Sequence, residues 1–518
     1  MALDKADLVL HEGAVFGHPE SDSVAIAGGC VVAHGRYGDL RPLIGPQTHL
    51  IRLAGRTVAP GFIDCHLHFM EAASVATGLS LVRCRAVGDV LADLRVAAAK
   101  TPPGNWLRAF GCDEALMRER RGPTREELDR SVPKNPLRLR HQTLHASWLN
   151  SRAISQLGLD QADFKPPAGA LMVRDGIGRL TGLVAGMEEW LTSRMPRVTA
   201  AELEARARVF SRELAAAGVT AFTDATVRNG PDEVALFARL VAGGAITQLM
   251  SMMVGPAYSE AIPVMRQMAA AAGIGIAGVK FMDVALWEPP RLVRAVADAM
   301  AQGTDCAFHC TEVQELEAAL TAIASARSRV RVSTLDTVAC RLEHGGLIPP
   351  NYLERIAAIG AWVVTNPSFV YYRGAKYAGD PGLIPYLYRA RSLAAAGINL
   401  AAGTDAPVAA AKPLTAIAAA VTRVSSEGYE LGLDERLSTD AAFALFTSAA
   451  ARLARLGSGE IAAGEVADLI VLAANPLALK PDELINLGVD LTIVGGHVIY
   501  ERGHPVASNS VGVGNHSA

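Results

Sequence analysis

Two histidines one residue apart are the first groups along the chain able to do chemistry. They close the run Gly61-Phe62-Ile63-Asp64-Cys65-His66-Leu67-His68-Phe69. What precedes them is apolar, as a buried strand is, and alternate residues of a strand face one side. His66 and His68 therefore point together, at a spacing that lets two imidazoles share a metal ion. Taken alone the pair is a weak motif, and two loop histidines bonded to neighbours would look the same.

Four more segments end an apolar run with a functional side chain: Val279-Lys280-Phe281-Met282-Asp283, Phe308-His309-Cys310-Thr311-Glu312, Arg341-Leu342-Glu343-His344 and Ala402-Gly403-Thr404-Asp405. A lysine inside an apolar strand is costly unless paired, neutralised or modified. Each has a plainer reading too. Lys280 could snorkel to solvent, His309 or His344 could be satisfied core histidines, and Asp405 could cap the next helix. Their coincidence at five strand ends argues against all the plain readings together.

The strands that must position these groups are legible as eight apolar, β-prone stretches: Ala59–Phe69, Gly218–Thr226, Ile246–Gly255, Gly275–Val284, Asp305–Thr311, Ala339–Gly345, Ala361–Asn366 and Gly397–Ala406. Helical patterns, such as Asp232–Ala242, Pro289–Ala301 and Val313–Ala326, separate most of them from the second onward. That alternation predicts an α/β fold, a closed (β/α)8 TIM barrel over 59–455, with chemistry at the strands' C-terminal ends. The gap from about 70 to 198 is too long for one helix and reads as an insertion on the loop end. The two termini resemble each other. Asp7-Leu8-Val9-Leu10 with Val24–Val32 at one end, and Ala467–Leu472 with Leu491–Tyr500 at the other, read as short hairpins with glycine turns. They predict a small composite β-sandwich domain from 1–58 and 456–505, leaving a Ser/Gly/Asn-rich flexible tail at 506–518.

Half the residues are hydrophobic and the net charge is −3 with both signs interspersed. No basic stripe with aromatics is present, which argues against nucleic acid. Charges or glycines interrupt the Ala-rich runs before membrane-spanning length, which argues against a membrane. The seven cysteines are irregularly spaced with no CxxC, and the N-terminus lacks the basic-then-apolar order of a signal peptide. A reducing cytoplasm is the expected setting. The expected partner is a small-molecule substrate.

These segments resemble the amidohydrolase superfamily, in particular its N-substituted formamide deformylase-like branch of metal-dependent hydrolases. The resemblance extends over nearly the whole chain, including Gly104-Asn105-Trp106, His145-Ala146-Ser147-Trp148-Leu149-Asn150 and the closing Gly464–Leu472. It implies a divalent metal, zinc by default and one or two ions, held by His66, His68, Lys280, His309, His344 and Asp405. Lys280 would be carboxylated on its amine and bridge two ions. Asp405 would take a proton as a metal-bound hydroxide attacks a C–N bond of a small N-substituted or cyclic amide. His145 would reach over the metal to the carbonyl oxygen. Homodimers are usual for such folds, although the sequence shows no interface signal.

One departure opens an alternative. Relatives of that branch usually follow the strand-five histidine with Gly-Asp, whereas here His309 precedes Cys310, Thr311 and Glu312. A glutamate three residues after the histidine resembles the cytosine-deaminase branch. That likeness implies a one-metal deaminase of an aminated heterocycle, with Glu312 as proton shuttle and Lys280 not a ligand. Among secondary candidates, Asn366–Arg373 offers aromatics and one cation to hold an aryl group and a substrate carboxylate. Trp287 is a candidate pocket wall, Cys65 is expected in the core, and alternation argues against Cys310 as a ligand.

Overall fold

The computed structural model describes residues 5–167, 169–196, 198–330 and 337–503, and the tail expected at 506–518 lies outside the described residues. The chain forms two compact units, Met1–Phe69 with Phe210–Ala518, and Met70–Val209.

The larger unit is built on eight parallel strands: β1 (Phe62–Leu67), β2 (Val219–Asp224), β3 (Leu249–Val254), β4 (Ile274–Phe281), β5 (Cys306–Cys310), β6 (Cys340–His344), β7 (Trp362–Thr365) and β8 (Leu400–Ala402). Each pairs with the next, in sequence order. β1, β2, β6 and β8 are buried along their whole length. That is why they read as continuous apolar runs rather than alternating ones. Helices return the chain between successive strands. In Pro289–Ala301, Leu292, Val293, Val296, Ala299 and Met300 make one buried stripe behind an N-terminal proline. The ring closes just beyond the ladder. Asp405 N donates to His66 O at 2.7 Å and His68 N donates to Ala406 O at 2.8 Å. The fold is the expected (β/α)8 barrel.

Strands from both termini build two further sheets. One orders Cys30–Gly35, Ser23–Ala27, Leu8–His11 and His49–Arg52; the other orders Ala14–Val15, Thr57–Pro60, Leu469–Leu472, Val489–Val494 and His497–Glu501. Leu10, Val24, Ile26, Leu469, Val471 and Ile493 share one core between them. The hairpin turns Gly28-Gly29 and Gly495-Gly496 have positive φ at both central positions, the type I′ conformation that glycine adopts without strain. The stretch expected as a single strand from Ala59 is divided. Thr57–Pro60 pairs antiparallel with Leu469–Leu472, and the barrel strand begins at Phe62.

The smaller unit has a fold of its own, which the sequence reading missed. It holds a six-stranded sheet ordered Leu171–Arg174, Leu180–Ala185, Ala146–Leu149, Leu137–His141, Leu107–Cys112 and Leu79–Ser80. Two apolar clusters back it, one around Val90, Leu94, Leu128 and Leu139, the other around Leu149, Ile154, Leu159 and Leu191. All seven cysteines are free thiols. Among the described residues no helix is long and apolar enough to cross a membrane.

Candidate metal centre

The C-terminal ends of β1 and β8 bring three predicted groups together. His66 Nε2 lies 3.5 Å and His68 Nε2 3.2 Å from Asp405 Oδ1. All three can offer an atom to one ion. The approach depends on Gly403, because a Cβ there would sit 2.5 Å from His66 Cβ. Asp405 adopts φ 59°, a conformation few non-glycine residues hold without surrounding support.

The other nitrogen of each imidazole is already engaged. His66 Nδ1 faces Glu343 Oε2 at 2.5 Å and His68 Nδ1 faces Thr226 Oγ1 at 3.0 Å. Burial, with Lys280 and His344 nearby, pushes His66 well below the ordinary histidine pKa, so its ring is neutral. With Nδ1–H directed to Glu343, its Nε2 turns a lone pair toward Asp405 Oδ1, a buried oxygen without an aligned donor. Two acceptors face each other where a cation belongs. Two atoms about 2.0–2.1 Å from a tetrahedral ion lie roughly 3.3 Å apart, close to both spacings here. Burial raises the Asp405 carboxyl, but His68, His344 and His66 together hold it below the ordinary carboxylate range.

Glu343 is the main partner that sequence reading passed over. It is fully buried, accepts from Arg341 Nε at 2.7 Å, and Arg341 Nη2 donates to Cys65 O at 2.8 Å. A legible signal existed. Arg341 and Glu343 lie two apart on a buried strand, so they share a face and must pair inside. His344 has φ 72°, and this turn brings it beside His66 as well, with ring centroids 4.7 Å apart.

The remaining members sit on β4, β5 and β6. Lys280 is 1 % exposed, and its Nζ has no hydrogen-bond partner. Burial pushes the ammonium below its usual pKa, while Glu343 and Asp405 pull it back. His309 Nδ1 lies 3.0 Å from His344 Nε2. Asn366 fixes the His344 tautomer. Its Nδ2 donates to Gly403 O, so its Oδ1 accepts from His344 Nδ1 at 2.7 Å and Nε2 is left with a lone pair. The orphaned Nζ, the two facing imidazoles and the His66–His68–Asp405 triplet fit a divalent metal site in donor type and spacing.

Other candidates lie elsewhere. Glu312 is exposed at the N-cap of helix Val313–Arg327, where its backbone N–H donates to the Glu315 carboxylate at 3.1 Å. His145 belongs to the smaller unit, exposed, with its carbonyl accepting from Gly186 N. Trp287 donates to Met282 O and lines an apolar cavity of about 470 Å³ with Val284, Leu292, Val313 and Tyr352. Cys65 is in the barrel core. In the smaller unit Asp113, Glu114 and His141 also cluster. There Thr143 N donates to His141 Nδ1 at 2.9 Å, which places the ring proton on Nε2, facing the carboxylates. This is an imidazole–carboxylate contact rather than a ligand set.

Comparison with known proteins agrees with this architecture. A family described as "Amidohydrolase family" matches residues 49–500. An N-substituted formamide deformylase of Arthrobacter pascens is 27 % identical over 93 % of this chain and 95 % of its own. A solved metal-dependent hydrolase from Pyrococcus horikoshii superposes with a TM-score of 0.71 at 20 % identity, covering 92 % of this chain and 99 % of that one. One from Pyrococcus furiosus gives 0.68 at 21 %, covering 91 % and 99 %. These two structures share the fold.

Proposed function

The chain belongs to the amidohydrolase family, and from that premise we propose that it hydrolyses the C–N bond of a small N-substituted or cyclic amide, with Asp405 as general base. The observation that carries this reading is the convergence of His66 Nε2 and His68 Nε2 on Asp405 Oδ1. The deformylase relative, named for its action on N-substituted formamides, supports the choice of bond.

His66, His68 and Asp405 would hold one ion, and His309 and His344 a second, with Lys280 between them. When bound, the metal, zinc by default, supplies Lewis acidity that activates water and polarises the amide carbonyl. Asp405, kept ionised by its imidazole neighbours, takes the proton from the attacking water and returns it to the leaving nitrogen. Glu343 and Thr226 hold the two β1 rings in orientation. Carboxylation of Lys280 would replace an unpartnered buried cation by an anion. The free thiols suit a reducing cytoplasm.

The test joins metal counting, carbon-13 bicarbonate labelling and a panel of N-alkylformamides and lactams. Two ions per chain, a carbamate signal lost in Lys280→Ala, and amide turnover are expected. One ion, no carbamate, and Glu312-dependent release of ammonia from aminated heterocycles would replace this reading with the deaminase.

A further inference from the structure

Arg373 differs from the other sheltered arginines of the larger unit. Arg341 pairs with Glu343 and Arg389 with Glu435, while Arg423 donates to the carbonyls of Leu431, Tyr388 and Leu387. Arg373 is half-buried. Among the described residues no carboxylate lies within ion-pairing distance of it. Its guanidinium is held over the Phe369 ring, 4.6 Å from the centroid.

That ring ties Arg373 to the metal centre. Phe369 lies nearly parallel to His344, with centroids 6.3 Å apart and planes 14° apart. Asn366, which orients His344, opens the segment that leads through helix Ser368–Tyr372 to Arg373. The guanidinium is thus two ring spacings from a candidate ligand. Tyr388 gives a second link. Burial raises its phenol first, and among nearby charges Arg373 lowers it while Asp405 raises it, so both ions act on one hydroxyl. Tyr388 and Tyr377 share a hydrogen bond at 3.0 Å, the Arg373 guanidinium donates to the Tyr377 hydroxyl, and Glu312 lies near the same phenol. Glu312 does not form an ion pair with Arg373. The result is an aromatic wall, Phe369, Tyr377 and Tyr388, carrying one guanidinium that has no carboxylate in ion-pairing distance among the described residues.

We propose that Arg373 is a specificity residue that binds a carboxylate on the substrate, so that the preferred amides are anionic. This rests on the hydrolase reading. A planar guanidinium stacked on a ring keeps its fork of donors pre-oriented, which suits two-pronged binding of a carboxylate. The binding is partly dehydrated beside aromatic rings, so it contributes more than an exposed pair would. The carboxylate would stand two ring spacings from the scissile bond, as at the end of a short alkyl or aryl chain.

The probes are ω-formamido acids of three to eight carbons and N-alkylformamides of equal length, given to the metal-loaded wild type, Arg373→Met and Arg373→Lys. We expect the wild type to favour the acids, with an optimum chain length. Arg373→Met should lower the acid-to-neutral ratio of kcat/KM about 100-fold, through KM more than kcat, and Arg373→Lys should restore part of it. Equal loss for both series, or a wild-type preference for neutral amides, overturns the proposal while leaving the hydrolase reading in place. Calorimetric binding of the acids separates the remaining cases. Binding that depends on Arg373 without turnover keeps the subsite and removes the hydrolase reading, whereas no binding and no turnover removes both.

Discussion

The two sides of the histidine cluster are built differently. On the β1–β8 side each imidazole has a fixed second partner, Glu343 for His66 and Thr226 for His68, and both face Asp405. On the β4–β5–β6 side His309 and His344 face each other, and Lys280 faces nothing that accepts its protons. The first side is organised by protein atoms alone. On the second, Lys280 Nζ has no hydrogen-bond partner. The difference separates a pre-oriented site from one that, on the proposed reading, a lysine carbamate would complete, and it can be probed residue by residue.

Asp405→Ala carries the largest expected effect. On the proposed reading it removes both a ligand and the base, so kcat/KM for an N-alkylformamide should fall by about 10⁴-fold or more, with metal content falling in parallel. Retention of a tenth of the activity would remove Asp405 from the chemistry. Lys280→Met should come next, with loss of the second ion and a roughly 10²–10³-fold drop in kcat. In metal-stripped, bicarbonate-free protein the same change should raise stability by about 1–4 kcal/mol in urea unfolding, since it replaces an unpartnered buried ammonium by an apolar chain. A destabilised variant would mean that Lys280 has a partner under those conditions.

Glu343→Gln should act chiefly on the β1–β8 side, where Glu343 bonds His66. Metal affinity there should weaken about 10–100-fold, measured by chelator competition, while the second ion's affinity changes little. Equal weakening of both would show that the two sides are one unit.

Asp468 gives the smallest effect and a contrast with Asp405. Burial pushes Asp468 up to about 6, with only the Gly495 amide pulling it down; three imidazoles do the opposite for Asp405. A carboxyl whose folded pKa exceeds its unfolded one weakens the fold as pH rises from about 4 through 6, and the loss persists above that. Asp468→Asn should therefore match the wild type near pH 4 and be more stable by about 1–2 kcal/mol at pH 8. Equal pH profiles would show that Asp468 is not strained.

The barrel was legible because its strands are buried on both faces, and a short aliphatic run such as that around Phe222 or Leu342, recurring between helical patterns, suits a parallel strand covered on both sides. The metal candidates were legible because each ends such a run. The smaller unit's sheet was not. Leu137–His141 alternates leucine with arginine and is only a few residues long, a pattern that also suits a charged loop. The partners of the histidines were hidden for another reason. Thr226 and Asn366 meet His68 and His344 only through tertiary packing, and neither neighbourhood leaves a mark on local spacing. Glu343 alone had such a mark, two residues from Arg341.

The closure of the barrel has a consequence for biosynthesis. The amide of Asp405 bonds to the carbonyl of His66, and the Asp64 carboxylate is held by Thr404 from 340 residues away. A nascent chain therefore carries its paired histidines from the outset, yet has neither a sealed ring nor its third ligand until residues 400–406 leave the ribosome. Contacts of such long loop length form late and slowly. On the proposed reading, the three-ligand set of His66, His68 and Asp405 is complete only once the barrel can close.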